Sequence, residues 1–226
     1  MSGAGCETAR RPFEDDLKSG PNVTADRSYR DVLGVASWCR LKPEVRGRFS
    51  VKPAPGGTIR YAGTMRTVEL SLMGWLFAQL CRLIGSPLAP YRGKWVPMKI
   101  ELADDPLLGG VAWSRTYRFP AIRELTVRST KCRAGEGQFV EHIGRGFRMR
   151  LALKEVAGDL WFVSTAYDVC VFGRYLSIPS LLTPGVTTVT HEQLTGDRFR
   201  FTLSVDHPWL GRTIYQAGFF YSVSDR

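Results

Sequence analysis

Val96-Pro97-Met98-Lys99-Ile100-Glu101 is the stretch that decides how this chain is read. Val96, Met98 and Ile100 alternate with Pro97, Lys99 and Glu101. In extended backbone successive side chains point to opposite faces, so one face of this strand is apolar and the other polar. That is the signature of a sheet buried on one side. The same period recurs over Gly110–Phe119, Ile122–Lys131, Gln138–Ile143, Phe147–Val156, Leu160–Phe172, Arg198–Val205 and Thr213–Ser222. Turns fall between these runs at Ala134-Gly135-Glu136-Gly137, Ala157-Gly158-Asp159 and Thr195-Gly196-Asp197. Connections this short favour antiparallel hairpins over crossover helices.

Upstream, Val68–Ile84 reads VELSLMGWLFAQLCRLI, with Leu72, Trp75, Leu76, Gln79, Leu80 and Leu83 at helical spacing. Gly85-Ser86-Pro87 stops the pattern, since glycine ends a helix and proline cannot continue it. The segment is apolar almost all round, which predicts a buried helix. It falls short of the roughly 20 residues of a membrane span. A membrane-surface helix is the alternative, although that type ordinarily carries a strongly charged face. Together these signals predict a mostly β (α+β) fold: an antiparallel β-barrel or strongly curved sheet, calycin-like, with one buried apolar helix. Closure of such a sheet removes exposed edges.

Residues 1–27 are polar and without apolar periodicity, and are expected to form a flexible tail. A single domain is expected over residues 28–226. It begins with a short helical turn at Ser28–Gly34. Lys42-Pro43-Glu44-Val45 leads into an expected strand near Arg48–Val51, and extended structure resumes at Thr58–Glu69. The long segment Arg174–Thr190, with Pro179 and Pro184, is expected to be a loop of the kind that forms functional lids.

The chain has 226 residues, 44% of them hydrophobic and 23% charged, values of an ordinary folded protein. Its net charge is +10. The basic residues are dispersed along the strands, and no nucleic-acid motif accompanies them, so no specific nucleic-acid partner is expected. Peripheral contact with a membrane is compatible with the same charge. Five cysteines stand far apart without a CxxC pair, which argues against a disulfide framework or a zinc site and for reduced thiols. The first residues contain no apolar signal segment, and a cytoplasmic location is expected.

Chemistry concentrates in Trp113-Ser114-Arg115-Thr116-Tyr117-Arg118-Phe119. Alternation puts Trp113, Arg115, Tyr117 and Phe119 on one face. An arginine on an inward face needs an anion or a carbonyl, because a buried unpaired charge is costly. Glu141, on a later strand, is the protein candidate. The preferred reading is a bracing Arg115–Glu141 pair. The functional readings are Arg115 holding a ligand carboxylate, or Glu141, with His142, acting as acid or base beside Arg115. Tyr215, in the last hairpin, is a further candidate donor into a cavity. The three histidines, His142, His191 and His207, lie apart without metal-ligand spacing, so no metal site and no cofactor is expected.

In their order these landmarks resemble a bacterial family called domain of unknown function four-one-six-six. The resemblance is carried by Leu33-Gly34, Tyr61-Ala62-Gly63, Gly85-Ser86-Pro87, Trp113 with Arg115, Ser129, and Glu141 with Gly144. It continues through Ile178-Pro179, Pro184, Glu192 and Gly196, then Phe199, Phe201, Pro208, Gly211, Tyr215 and Gly218, and so spans Tyr29 to Tyr221. Phe49 departs from it, standing where the family often has a histidine. The family label implies no established activity. Relatives occur alone or joined to reductase-like NAD(P)-binding domains, which implies a domain that holds a small organic substrate and, here, a separate NAD(P)-dependent reductase as partner.

The leading expectation is a small, largely apolar ligand bound in a barrel pocket, with Trp113, Arg115, Tyr117 and Tyr215 as contacts. The rivals are a metal-independent isomerase, cyclase or decarboxylase using Glu141, His142 and Arg115, and a membrane- or partner-associated scaffold.

Overall fold

A computed structural model describes residues 23–83, 85, 88–120, 124–135 and 137–223. The chain runs through β1 (Val23–Ala25), α1 (Ser28–Leu33), α2 (Val35–Arg40), α3 (Pro43–Phe49) and β2 (Val51–Pro53). Then come β3 (Thr58–Leu70), α4 (Leu72–Leu83), β4 (Gly93–Asp105), β5 (Gly110–Tyr117), β6 (Leu125–Ala134) and β7 (Gln138–Gly144). The last elements are β8 (Phe147–Val156), β9 (Asp159–Val171), β10 (Arg174–Ile178), a 3-10 turn at Ser180–Leu182, β11 (Val186–Gln193), β12 (Phe199–His207) and β13 (Gly211–Val223).

The expected sheet is present and it closes. The order β9-β11-β12-β13-β3-β4-β5-β6-β7-β8 returns to β9 through the β8–β9 ladder, giving a ten-stranded antiparallel barrel. Tyr61 of β3, Met98 and Ile100 of β4, Phe139 of β7, Phe162 of β9 and Phe199 of β12 point inward and are buried. β10 folds back on the far half of β9, pairing Arg174 with Val171 and Ile178 with Tyr167.

The two ends of the barrel are closed differently. α1–α3 plug one of them. Tyr29 meets Phe139 at 4.9 Å and Phe49 at 5.0 Å, and Phe49 meets Phe162 at 5.8 Å. The plug is pinned by Lys42, whose amide donates to the Gly158 carbonyl at 2.8 Å and whose Nζ lies 2.9 Å from Asp159. α4 lies across the opposite end. A Cβ at Gly74 would stand 1.9 Å from the Thr213 carbonyl oxygen, at the start of β13, so only glycine allows this approach. Beyond the other end of the helix, a Cβ at Gly85 would stand 3.4 Å from Gly144, at the end of β7.

Several expectations are corrected here. The helix starts at Leu72, since Val68–Leu70 continue β3 and pair with β13. Ser71 caps it, its Oγ accepting the Gly74 amide at 3.0 Å. Nor is the helix buried all round. Gly74, Ala78 and Cys81 face the barrel, while Leu72 is 75% and Leu83 65% exposed. Arg48 belongs to α3, which Pro43 starts at its first turn, where the missing amide proton costs nothing; only Val51–Pro53 is extended. Of the expected tail, residues 1–22 lie outside the described residues, but Val23–Ala25 pairs with β2 as a strand. Arg174–Thr190 contains β10, the 3-10 turn and part of β11. Cys39 is disulfide-bonded, so the thiols are not all reduced, while Cys81, Cys132 and Cys170 are free.

Candidate functional site

Under α4 the barrel encloses a cavity of about 240 Å³. Phe77, Leu80 and Cys81 of the helix form its roof. Leu182, Thr183 and Pro184, between β10 and β11, close one side. Ile143, Met149, Tyr167, Val189 and Leu203 make the walls, and Arg115 and Glu141 are the charged residues among the described lining. The surface is therefore mostly apolar with a polar floor, the usual make-up of a small-molecule site.

Strand alternation and register build that floor. Trp113 and Arg115 point inward from β5, Ser129 and Lys131 from β6, and Glu141 from β7. Trp113 stands opposite Ser129, and Lys131 opposite Glu141. The Ser129 hydroxyl donates to Glu141 Oε1 at 2.5 Å and accepts from Arg115 Nη2. Lys131 Nζ lies 3.2 Å and Arg115 Nη2 3.4 Å from the same Glu141 oxygen. Lys131 Nζ also sits 4.6 Å from the centre of the Trp113 ring. All of these side chains are buried.

One carboxylate thus faces two cations in a space of low polarity. Burial pushes the Glu141 carboxyl up, but Lys131, Arg115 and the Ser129 hydrogen bond outweigh it and bring its pKa down to about 2. Burial drives the Lys131 ammonium down to about 8, with Glu141 opposing and Arg115 adding to the shift. The floor carries a surplus of positive charge. Arg115 Nε has no hydrogen-bond partner among the described residues, and neither has Trp113 Nε1. The hydroxyl of Tyr167 is already engaged, with the Gly185 carbonyl at 3.0 Å and Thr187 at 2.7 Å. Burial holds the Cys81 thiol protonated, at about 11.

The sequence-predicted residues part company here. Arg115 and Glu141 meet, as the preferred pairing had it, and both reach the cavity. Trp113 is inward but lies behind the floor, 6.0 Å from the His191 ring. Tyr117 is inward too, and its hydroxyl donates to Gln216 Oε1 at 2.9 Å on another side of the core. His142 follows Glu141 on the same strand and so points out of the barrel, its ring 6.4 Å from Tyr175. Tyr215 also sits on the outer face, with the Arg212 guanidinium 5.1 Å from its ring. Neither joins the cavity. Sequence reasoning missed Lys131, although its two-residue spacing from Ser129 puts both on one face. The lining from Leu182 to Val189 falls within the segment Arg174–Thr190 expected to be a lid, although none of its side chains was named as a contact.

A closed antiparallel barrel with one roofed, mostly apolar cavity and a buried cationic floor defines the class of protein. The family is shown directly. Residues 41–220 match the model of the domain of unknown function DUF4166, and the chain belongs to that family. No curated protein and no solved structure matches the chain. Among the described residues, no helix is long and apolar enough to cross a membrane.

Proposed function

We propose that this protein binds a small, largely apolar organic molecule with an anionic end, its apolar part under α4 and its anion at Arg115. The observation that carries the reading is the charge on the floor of the cavity. Arg115 and Lys131 share the single carboxylate of Glu141, and Arg115 keeps an unused donor. A ligand carboxylate would neutralise the surplus and occupy that donor, with hydrogen bonds strengthened by charge. The cavity, at about 240 Å³, suits a molecule of modest size.

The acid–base reading of Glu141 is less well supported. Ser129, Lys131 and Arg115 hold that carboxylate ionised, and His142 lies on the opposite face of β7. Native mass spectrometry tests the binding reading. After incubation with a mixture of medium-chain carboxylic acids, one added mass is expected on the wild-type protein. None is expected on Val189→Trp, which fills the cavity. Absence of any adduct on the wild-type protein overturns the proposal.

A further inference from the structure

The helix that roofs the cavity is built inside out. Its small residues Gly74, Ala78 and Cys81 are the buried ones. Apart from Phe77, which with the edge of Leu80 roofs the cavity, its large apolar side chains are turned to the outside. Leu72, Trp75, Leu76, Leu80 and Leu83 are between 43% and 75% exposed. The apolar surface continues past the helix. Phe77 stacks on the His207 ring at 6.2 Å, and His207 Nδ1 accepts the amides of Trp209 and Leu210 at 3.2 and 3.3 Å. Its Nε2 lies 3.4 Å from the Leu181 carbonyl. Leu181 and Trp209, tied together in this way, are 43% and 76% exposed, and the neighbouring Leu182 is 72% exposed. Phe172, at the β9–β10 turn of the same end, is wholly exposed. Contiguous apolar surface of this kind marks an interaction site.

The charges around it select the partner. Arg82, Arg92, Lys94, Arg145, Arg174 and Arg212 are all exposed at this end of the barrel. The exposed carboxylates there, among the described residues, are Glu69, Glu124 and Asp206. Two of these are already matched, Glu124 with Arg118 at 2.7 Å and Asp206 with Arg212 at 3.4 Å. The result is a greasy centre with tryptophans, ringed by guanidinium and ammonium groups.

We infer that this end of the barrel docks on an anionic lipid surface, with the Trp75 face of α4 seated among the headgroups and upper acyl chains. Apolar burial and attraction to anionic lipid act together at such a surface, each basic side chain adding to the affinity. The helix itself carries only Arg82 of this ring, and the strands and their connections supply the rest. Leu80 and Leu182 are exposed and also line the cavity, so an apolar molecule would pass from bilayer to cavity without crossing water. The docking surface itself stands on exposure and charge, whether or not the cavity is filled.

Flotation with phosphatidylcholine vesicles, with and without phosphatidylglycerol, tests it. The wild-type protein is expected to float with the anionic vesicles, to stay down with phosphatidylcholine alone, and to be released by high salt, which screens the attraction. Arg82→Glu with Lys94→Glu is expected to weaken binding about tenfold or more. Trp75→Glu with Leu76→Glu should abolish flotation while leaving the melting curve unchanged. Titration of that same variant with a medium-chain carboxylate separates docking from cavity binding, since cavity binding should survive. Wild-type protein that stays down with anionic vesicles at low salt overturns the inference. So does a dimer in light scattering that the Trp75 and Leu76 changes dissociate without any vesicle binding, for the face would then join two copies of the chain.

Discussion

Lys131 and Glu141 are register partners across β6 and β7, and inside the barrel Lys131 Nζ stands 3.2 Å from Glu141 Oε1. The two are not equal in what they hold. Glu141 is the single anion for Lys131 and Arg115, whereas Lys131 is the surplus cation. Removing the anion strands two buried charges, and removing the surplus cation leaves a matched pair. Glu141→Gln is therefore expected to lose about 3 kcal/mol or more of stability. Lys131→Met keeps its bulk and should stay within about 1 kcal/mol of wild type, or exceed it. Urea denaturation of the two variants checks the asymmetry.

The same cluster sets how stability follows pH. The Glu141 pKa falls from its ordinary 4.5 to about 2 on folding, so its contribution is complete above 4.5 and is lost as pH drops from there towards 2. The Lys131 pKa falls from 10.5 to about 8, so burying its charge costs stability in full below pH 8, and the cost is relieved as pH rises from 8 towards 10.5. Denaturation midpoints of the wild-type protein relative to Lys131→Met should rise over that alkaline window. A flat difference would mean that Lys131 titrates alike in both states.

Gly74 sets the height of the roof. With a Cβ due 1.9 Å from the Thr213 carbonyl oxygen, Gly74→Val must lift α4 from β13. Forced overpacking of this sort costs about 1–3 kcal/mol. Because the helix also roofs the cavity, a bound fluorescent carboxylate should leave the variant several times faster than wild type in stopped-flow displacement. Unchanged release would show that entry does not depend on the seating of the helix.

How much of this was legible depended on the pattern of each element. The alternation at Val96, Met98 and Ile100 reports a strand with one wet face, and those three side chains are buried as it implies. The Arg115–Glu141 pair followed from the cost of an unpaired inward charge. His142 was misgrouped with Glu141, although neighbours on a strand cannot share a face. Lys131 was hidden because β6 carries polar side chains on both faces, Thr130 and Lys131 alike being buried, and its alternation is blurred. Apolar character all round α4 suggested burial. The stripe Gly74, Ala78 and Cys81 shows the side on which it packs, since small residues permit close approach and large ones do not. Arg48 fell into a helix because Pro43, which cannot sit in a helix interior, suits a first turn.

The most direct test of carboxylate binding at Arg115 is calorimetric titration with a medium-chain carboxylic acid and the alcohol of the same length. It is made on wild-type protein and on Arg115→Met, where Lys131 and Ser129 still hold Glu141. Wild type is expected to prefer the acid, and the variant to lose about tenfold to a hundredfold in affinity for the acid while binding the alcohol as before. Equal affinity for acid and alcohol in the wild-type protein, or an acid affinity unchanged by the loss of Arg115, would contradict it.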